Sequence, residues 1–235
     1  AAQEMPGDRV TKALLDEMKN LPADNQILII QALGRRGDKA AVPALLDAAK
    51  YARRRRIRLS LLDTGRFDLV DLEALAREGS RVLTSDGVRP RSADWEILLE
   101  ACRGAGAHLS VFWNGPLPAG DGTPAIPLQA LLDLLGRGMD LHVSNRTLER
   151  DPALLAELAA SARSGRGYCV VYHHGRLAGE LAAPAGAGAW VHFSDRGAAD
   201  AAGAAVAVDI ARAAAAGGAR AAVHVESGLA LETLE

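Results

Sequence analysis

The sequence predicts an α/β fold built on a mostly parallel sheet, and three observations carry that expectation. Gly188 to Glu232 reads as strand, polar turn, helix, glycine stop and strand: the apolar run Trp190 to Phe193 breaks at Ser194-Asp195-Arg196-Gly197, an alanine-rich helix follows, Gly217-Gly218 ends it, and Ala221 to Val225 is apolar again. The same grammar recurs from Asp140, through a helical ALLAELAASAR and a break at Gly165-Arg166-Gly167 to the strand YCVVYHHG. A looser copy runs from Arg81, with VLTSD, the helix ADWEILLEACRGAG and the strand HLSVFWNG. Parallel strands need a crossover of this kind, and a helix is its usual form.

Residues 1–50 read as helical. In DRVTKALLDEMKNL the apolar Val10, Leu14, Leu15 and Met18 share one helix face, with Lys12, Asp16 and Lys19 on the other. All four lysines lie at or before residue 50, and the remainder of the chain carries arginine alone as its long cation, which marks a junction between a segment 1–50 and an α/β segment 51–235. From Arg53 onward the strand candidates are 57–62, 82–85, 108–113, 141–144, 168–173, 190–193 and 222–225, most of them joined by helical patterns. Seven strands suit an open, doubly wound sheet. If QILIIQ (26–31) is an eighth, the spacing of roughly 22 to 33 residues is close to that of a (β/α)₈ barrel of about 250 residues, and periodicity does not separate the two.

A chain of 235 residues with a net charge of −2 has room for a substantial core and carries no whole-molecule field toward nucleic acid or an anionic membrane. No apolar run has the ~20 residues of a membrane helix. Two cysteines, Cys102 and Cys169, make no disulfide framework. These features together give the expectation of a soluble, cytoplasmic protein.

Nearly every predicted strand closes on polar residues: Asp63-Thr64, Ser85-Asp86, Asn114, Ser144-Asn145, His173-His174, Ser194-Asp195 and Glu226-Ser227. Parallel strands deliver these ends to one edge, where α/β proteins bind ligands, although Ser, Asp and Asn there also serve as helix caps. The candidate ligand-binding residues are therefore Ser85, Asp86, Asn114, Ser144, Asn145, Ser194, Asp195 and Glu226. A ligand meeting helix N-termini on that rim would be small and polar or anionic, and self-association through the sheet edge is the alternative kind of partnership.

All six histidines fall on or beside strands: His108, His142, His173, His174, His192 and His224. His142, His192 and His224 each stand two residues before Ser144, Ser194 and Glu226, so each such pair points to one side of its strand. Inside a barrel they could converge on a metal; on an open sheet they read as hydrogen-bonded core residues. No HxH or HExxH spacing occurs, so no metal ligands are assigned, and with neither GxxxxGK[ST] nor GxGxxG present no cofactor is assigned either. The run Arg53 to Arg56 reads as a solvated helix end, and the glycine- and proline-rich stretch 115–127 reads as a loop that could cover the rim.

Two resemblances attach to these residues. DNQILIIQALGRRGDKAAVPALLDAAK, with its apolar helix ending Ala-Leu-Gly, its Arg-Arg-Gly-Asp turn and its AVPALLDAA helix, resembles a HEAT-like repeat. The order VLTSD, EACRGAG, HLSVFWNGPL and LQALLDLLGRGMDLHVSNRTLERD resembles DsrE/DsrF-type sulfur-relay domains, and VHFSDRGAADAAGAAVAVDIARAAAAGGARAAVHVESGLAL is similar to the opening of another. Where that family carries its relay cysteine this chain has Ser144, so the resemblance implies a member acting in ligand binding or assembly without sulfur relay. The competing expectation is a metal-dependent (β/α)₈-barrel hydrolase or lyase.

Overall fold

The computed structural model describes residues 8–18, 20–22, 29, 32–33, 39–113, 126–144, 151–198 and 200–224. Seven parallel strands lie in one sheet in the order of the chain: β1 Ser60–Leu62, β2 Arg81–Ser85, β3 Leu109–Trp113, β4 Asp140–Ser144, β5 Cys169–His173, β6 Trp190–Ser194 and β7 Ala221–His224. Each answers to one of the seven runs expected from the sequence. The helices are α1 Asp8–Met18, α2 Val42–Arg54, α3 Leu69–Arg77, α4 Ser92–Gly104, α5 Leu128–Gly136, α6 Pro152–Ser164, α7 Ala182–Ala187 and α8 Ala201–Ala216. Among the described residues no helix is long and apolar enough to cross a membrane.

The α/β class and the helix before the sheet are as expected; the winding is a finding. A doubly wound sheet reverses its strand order part-way, and this one does not. Its strands follow one another in the order of the chain throughout. When every crossover is right-handed and steps to the next strand in the same direction, successive helices fall on one side of the sheet.

Two compact units divide inside β3, 1–110 and 111–235. In the first, β1 pairs with β2, Leu61 opposite Val82, and α2, α3 and α4 pack in succession. Leu72, Leu75, Trp95, Leu98 and Leu99 are its fully buried centre. The composition change at residue 50 falls within α2, and Arg53 to Arg56 form the exposed end of that helix, with Arg55 over the ring of Tyr51. Ile29 is helical, as are Ala32 and Leu33; the rest of QILIIQ lies outside the described residues.

In the second unit β4, β5, β6 and β7 pair in parallel, and α5, α6, α7 and α8 each pack on the next. Alternation decides which side chains the helices cover: Leu141, Val143, Val171, Val191 and Phe193 are buried, while His142, Ser144, Tyr172, Trp190, His192 and Ser194 on the other face are only half-buried.

One device ends every helix that leads into a strand. A backbone N–H just past the helix donates to the carbonyl five residues back, from Ile57 to Ala52 (2.9 Å) through Ala107 to Cys102 (2.8 Å) to Ala219 to Ala214 (2.7 Å), seven times in all among the described residues. This is the six-to-one bond of a Schellman stop, which needs a left-handed residue between. Five of the seven stops use glycine there, Gly106 and Gly218 among them, and two use arginine, Arg56 and Arg166. The chain is thus a series of βα units, each closed in the same way.

Candidate functional site

The rim residues sort as follows. Ser144 and Ser194 close the parallel strands β4 and β6 on the same edge in the second unit, and Ser85 closes β2 in the first. Asp86 accepts from the N–H of Gly87 at 3.0 Å, inside the turn after β2. Asp195 is buried in a short 3-10 turn, where Ser194 Oγ donates to its Oδ1 at 3.3 Å. Neither Ser144 nor Ser194 caps a long helix; Asp151 and Asp200 do that for α6 and α8, accepting from Ala153 and Gly203. Asn114, Asn145, Glu226 and all but the last two residues of the stretch 115–127 lie outside the described residues.

What sequence reasoning missed as a site is the half-buried face of the sheet beside this rim. Five rings from five strands stand in a row across the second unit: Phe112, His142, Tyr172, His192 and His224, with centroids 4.5, 5.9, 5.0 and 5.2 Å apart in turn. These steps are near the spacing of neighbouring strands, about 4.8 Å, so each ring rises from its own strand against the next. Register explains the row. Tyr172 stands opposite both Ser144 and His192, while His192 and His224 meet on the diagonal, His192 being opposite Ala222 and His224 opposite Ser194. Phe112, His142 and Tyr172 are stacked, at 23° and 17° between planes, which turns ring faces to one another and ring edges outward.

Two hydrogen bonds tie the row. His142 Nδ1 and the Tyr172 hydroxyl are 3.1 Å apart, and His192 Nδ1 and His224 Nε2 are 3.0 Å apart. Toward the start of the strands Tyr168 packs on Trp190 at 4.6 Å, and the Arg220 guanidinium lies 5.0 Å over the Trp190 ring. Burial, and secondarily the neighbouring His224, hold the His192 imidazole below its ordinary value of 6.5. Well above pH 6.5 His192 is neutral in the folded and unfolded chains alike and adds nothing to the pH dependence. Below it the unfolded chain takes up the proton first, so stability falls as pH falls until the lower folded value is passed. Urea midpoints measured between about pH 5 and 7.5 are expected to decline on the acid side, with His192→Gln flattening part of the decline; parallel curves for the two proteins would remove His192 as the cause.

Two surface grooves among the described residues lie on the helical side. One of about 480 Å³ runs between α3 and α4 past Glu73, Glu96 and Glu100, and one of about 740 Å³ lies between α5 and α6 past Asp133, Arg137 and Glu157. Neither touches the rim or the ring row. Among the described residues no group of three or more His, Cys, Asp or Glu side chains is placed to hold a metal ion. Both cysteines are buried, and burial pushes the Cys169 thiol up to about 12.

No protein-family model matches the chain, and no curated protein matches it.

Proposed function

We propose that the chain is a binding module, and that the half-buried face of the sheet in its second unit, bordered by Ser144 and Ser194, receives a small polar ligand. The observation that supports this most is the contrast between the two faces. Parallel sheets ordinarily bury both sides, because crossover helices cover them, whereas here, among the described residues, the second side carries a row of rings that is buried only in part. Stacking turns the faces of Phe112, His142 and Tyr172 toward each other, so a ligand meets imidazole and phenol edges and is held by hydrogen bonds more than by stacking. This reading keeps the DsrE-like expectation of binding without sulfur relay. Ser144 has no thiol to offer, and the raised Cys169 thiol, sealed in the core, is a poor nucleophile.

The test is a screen of small polar and anionic compounds followed by side-chain NMR of the histidine and aromatic rings. Binders are expected to shift His142, Tyr172 and His192 together, and Tyr172→Ala to weaken them about tenfold or more, the worth of one or two hydrogen bonds. Binders that move only residues of the grooves between helices would overturn the assignment of the face. Metal-dependent turnover of ester, amide or phosphate substrates would favour the hydrolase reading instead.

A further inference from the structure

We infer that His192 and His224 form a two-histidine chelate for a divalent transition-metal ion, with Cu²⁺ held most tightly and Ni²⁺ and Zn²⁺ after it. The inference goes beyond the binding reading and stands on a separate observation, the mutual placement of two nitrogens. His192 Nδ1 and His224 Nε2 are 3.0 Å apart. Two imidazole nitrogens that share one ion at about 2.0 to 2.1 Å, at an angle between square and tetrahedral, lie roughly 2.9 to 3.4 Å apart. The pair therefore already has the separation of two neighbouring ligands.

The register of β6 and β7 sets this spacing. His224 sits opposite Ser194, two residues beyond His192, and the rings lean together across the diagonal at 5.2 Å with 33° between planes. As the pair stands, one nitrogen carries the proton of a hydrogen bond and the other accepts it. Binding an ion needs the lone pair of both, which a neutral pair provides by moving one proton to the opposite ring nitrogen, with no net release. His224 is exposed on the strand that ends the sheet, open to an arriving ion. Among the described residues no third His, Cys, Asp or Glu completes the set, and the two imidazoles are the donors on which the inference rests. An all-imidazole donor pair selects borderline ions by the Irving–Williams order and leaves Mg²⁺ and Ca²⁺ unbound.

The experiment is calorimetric titration of the whole chain with Cu²⁺, Ni²⁺, Zn²⁺ and Mg²⁺ at pH 7.5, with electron paramagnetic resonance of the Cu²⁺ form to count coordinated nitrogens. One ion per chain is expected, with two imidazole nitrogens in the copper spectrum and no heat from Mg²⁺. His224→Gln and His192→Gln are each expected to weaken binding roughly 100-fold by turning a chelate into a single contact, and the double variant to do little more. His174→Gln, an exposed histidine outside the ring row, is expected to leave affinity unchanged. His224 is exposed, so its variant keeps the test decisive should His192→Gln fold poorly. An unchanged affinity in His224→Gln, or no binding by the parent chain at tens of micromolar ion, would overturn the site without touching the small-ligand reading, whose probes and variant differ.

Discussion

Asp63→Ala is expected to lower the stability of the chain by about 3–5 kcal/mol, the usual cost of removing one partner from a buried ion pair. The Asp63 side chain is fully shielded, and its two oxygens take four donors: Thr84 Oγ1 at 3.0 Å, Arg89 Nε at 2.8 Å, Arg89 Nη2 at 3.2 Å and the N–H of Gly65 at 2.9 Å. Arg89, itself 13 % exposed, also donates to the carbonyl of Phe67, so the pair fastens the turn after β1 to the turn after β2. The hydrogen bond from its guanidinium to Asp63 raises the Arg89 pKa further above its ordinary value. Remove the carboxylate and a permanent cation is left largely shielded from water without its hydrogen-bonded counter-ion. Urea unfolding followed by circular dichroism measures the loss. Thr84→Val, which deletes one neutral donor from the same cluster, is expected to cost only about 1 kcal/mol; equal losses for the two variants would show that the charge pair is not the main contribution.

Gly165→Ala is expected to cost about 3 kcal/mol or more, the upper range for forced overpacking. Its backbone is ordinary, at φ −79°, so the constraint is space alone. A Cβ there would lie 2.2 Å from the carbonyl oxygen of Leu135 and 2.7 Å from the carbonyl carbon and oxygen of Gly136, all main-chain atoms at the end of α5. Nothing flexible can yield. The same contact brings Ser161 Oγ to donate to the carbonyl of Leu132 at 2.8 Å, which fixes how α5 and α6 lie together. Gly136→Ala is the comparison: its Cβ would meet only Ser161 Oγ at 3.6 Å, an ordinary distance, and Ala favours the helix by up to about 1 kcal/mol. A Gly165→Ala protein with an unchanged urea midpoint would mean that the two helices are not packed this closely.

All seven strands were legible in the sequence, because apolar runs bounded by glycine and polar residues carry the signal locally. The glycine stops at 217 and 218 were legible for the same reason, whereas Arg56 and Arg166 occupy left-handed positions that no residue preference announces. Winding was not legible, since strand order follows from which helix packs on which. The serine ends of β4 and β6 could be placed on one edge from parallel geometry alone. The ring row could not, because it depends on stagger: Tyr172 meets His192 across one pair, but His142 reaches Tyr172 and His192 reaches His224 only along diagonals. One signal was available. Tyr172, Trp190 and His192 alternate with apolar neighbours on strands that a fully covered parallel sheet would make apolar on both faces.

The repeated closure of one βα unit after another also bears on how the second unit comes to be folded. Each strand there pairs with the strand nearest in sequence and each helix rests on the next, so the entropy lost in closing each loop is that of a single unit. Chains of this kind gather structure stepwise from any point and tend to fold faster than sheets whose strands are paired out of order. A whole unit, cut from one stop to the next, could be removed or duplicated without rerouting the chain, and the length of the ring row would change with it, one strand at a time.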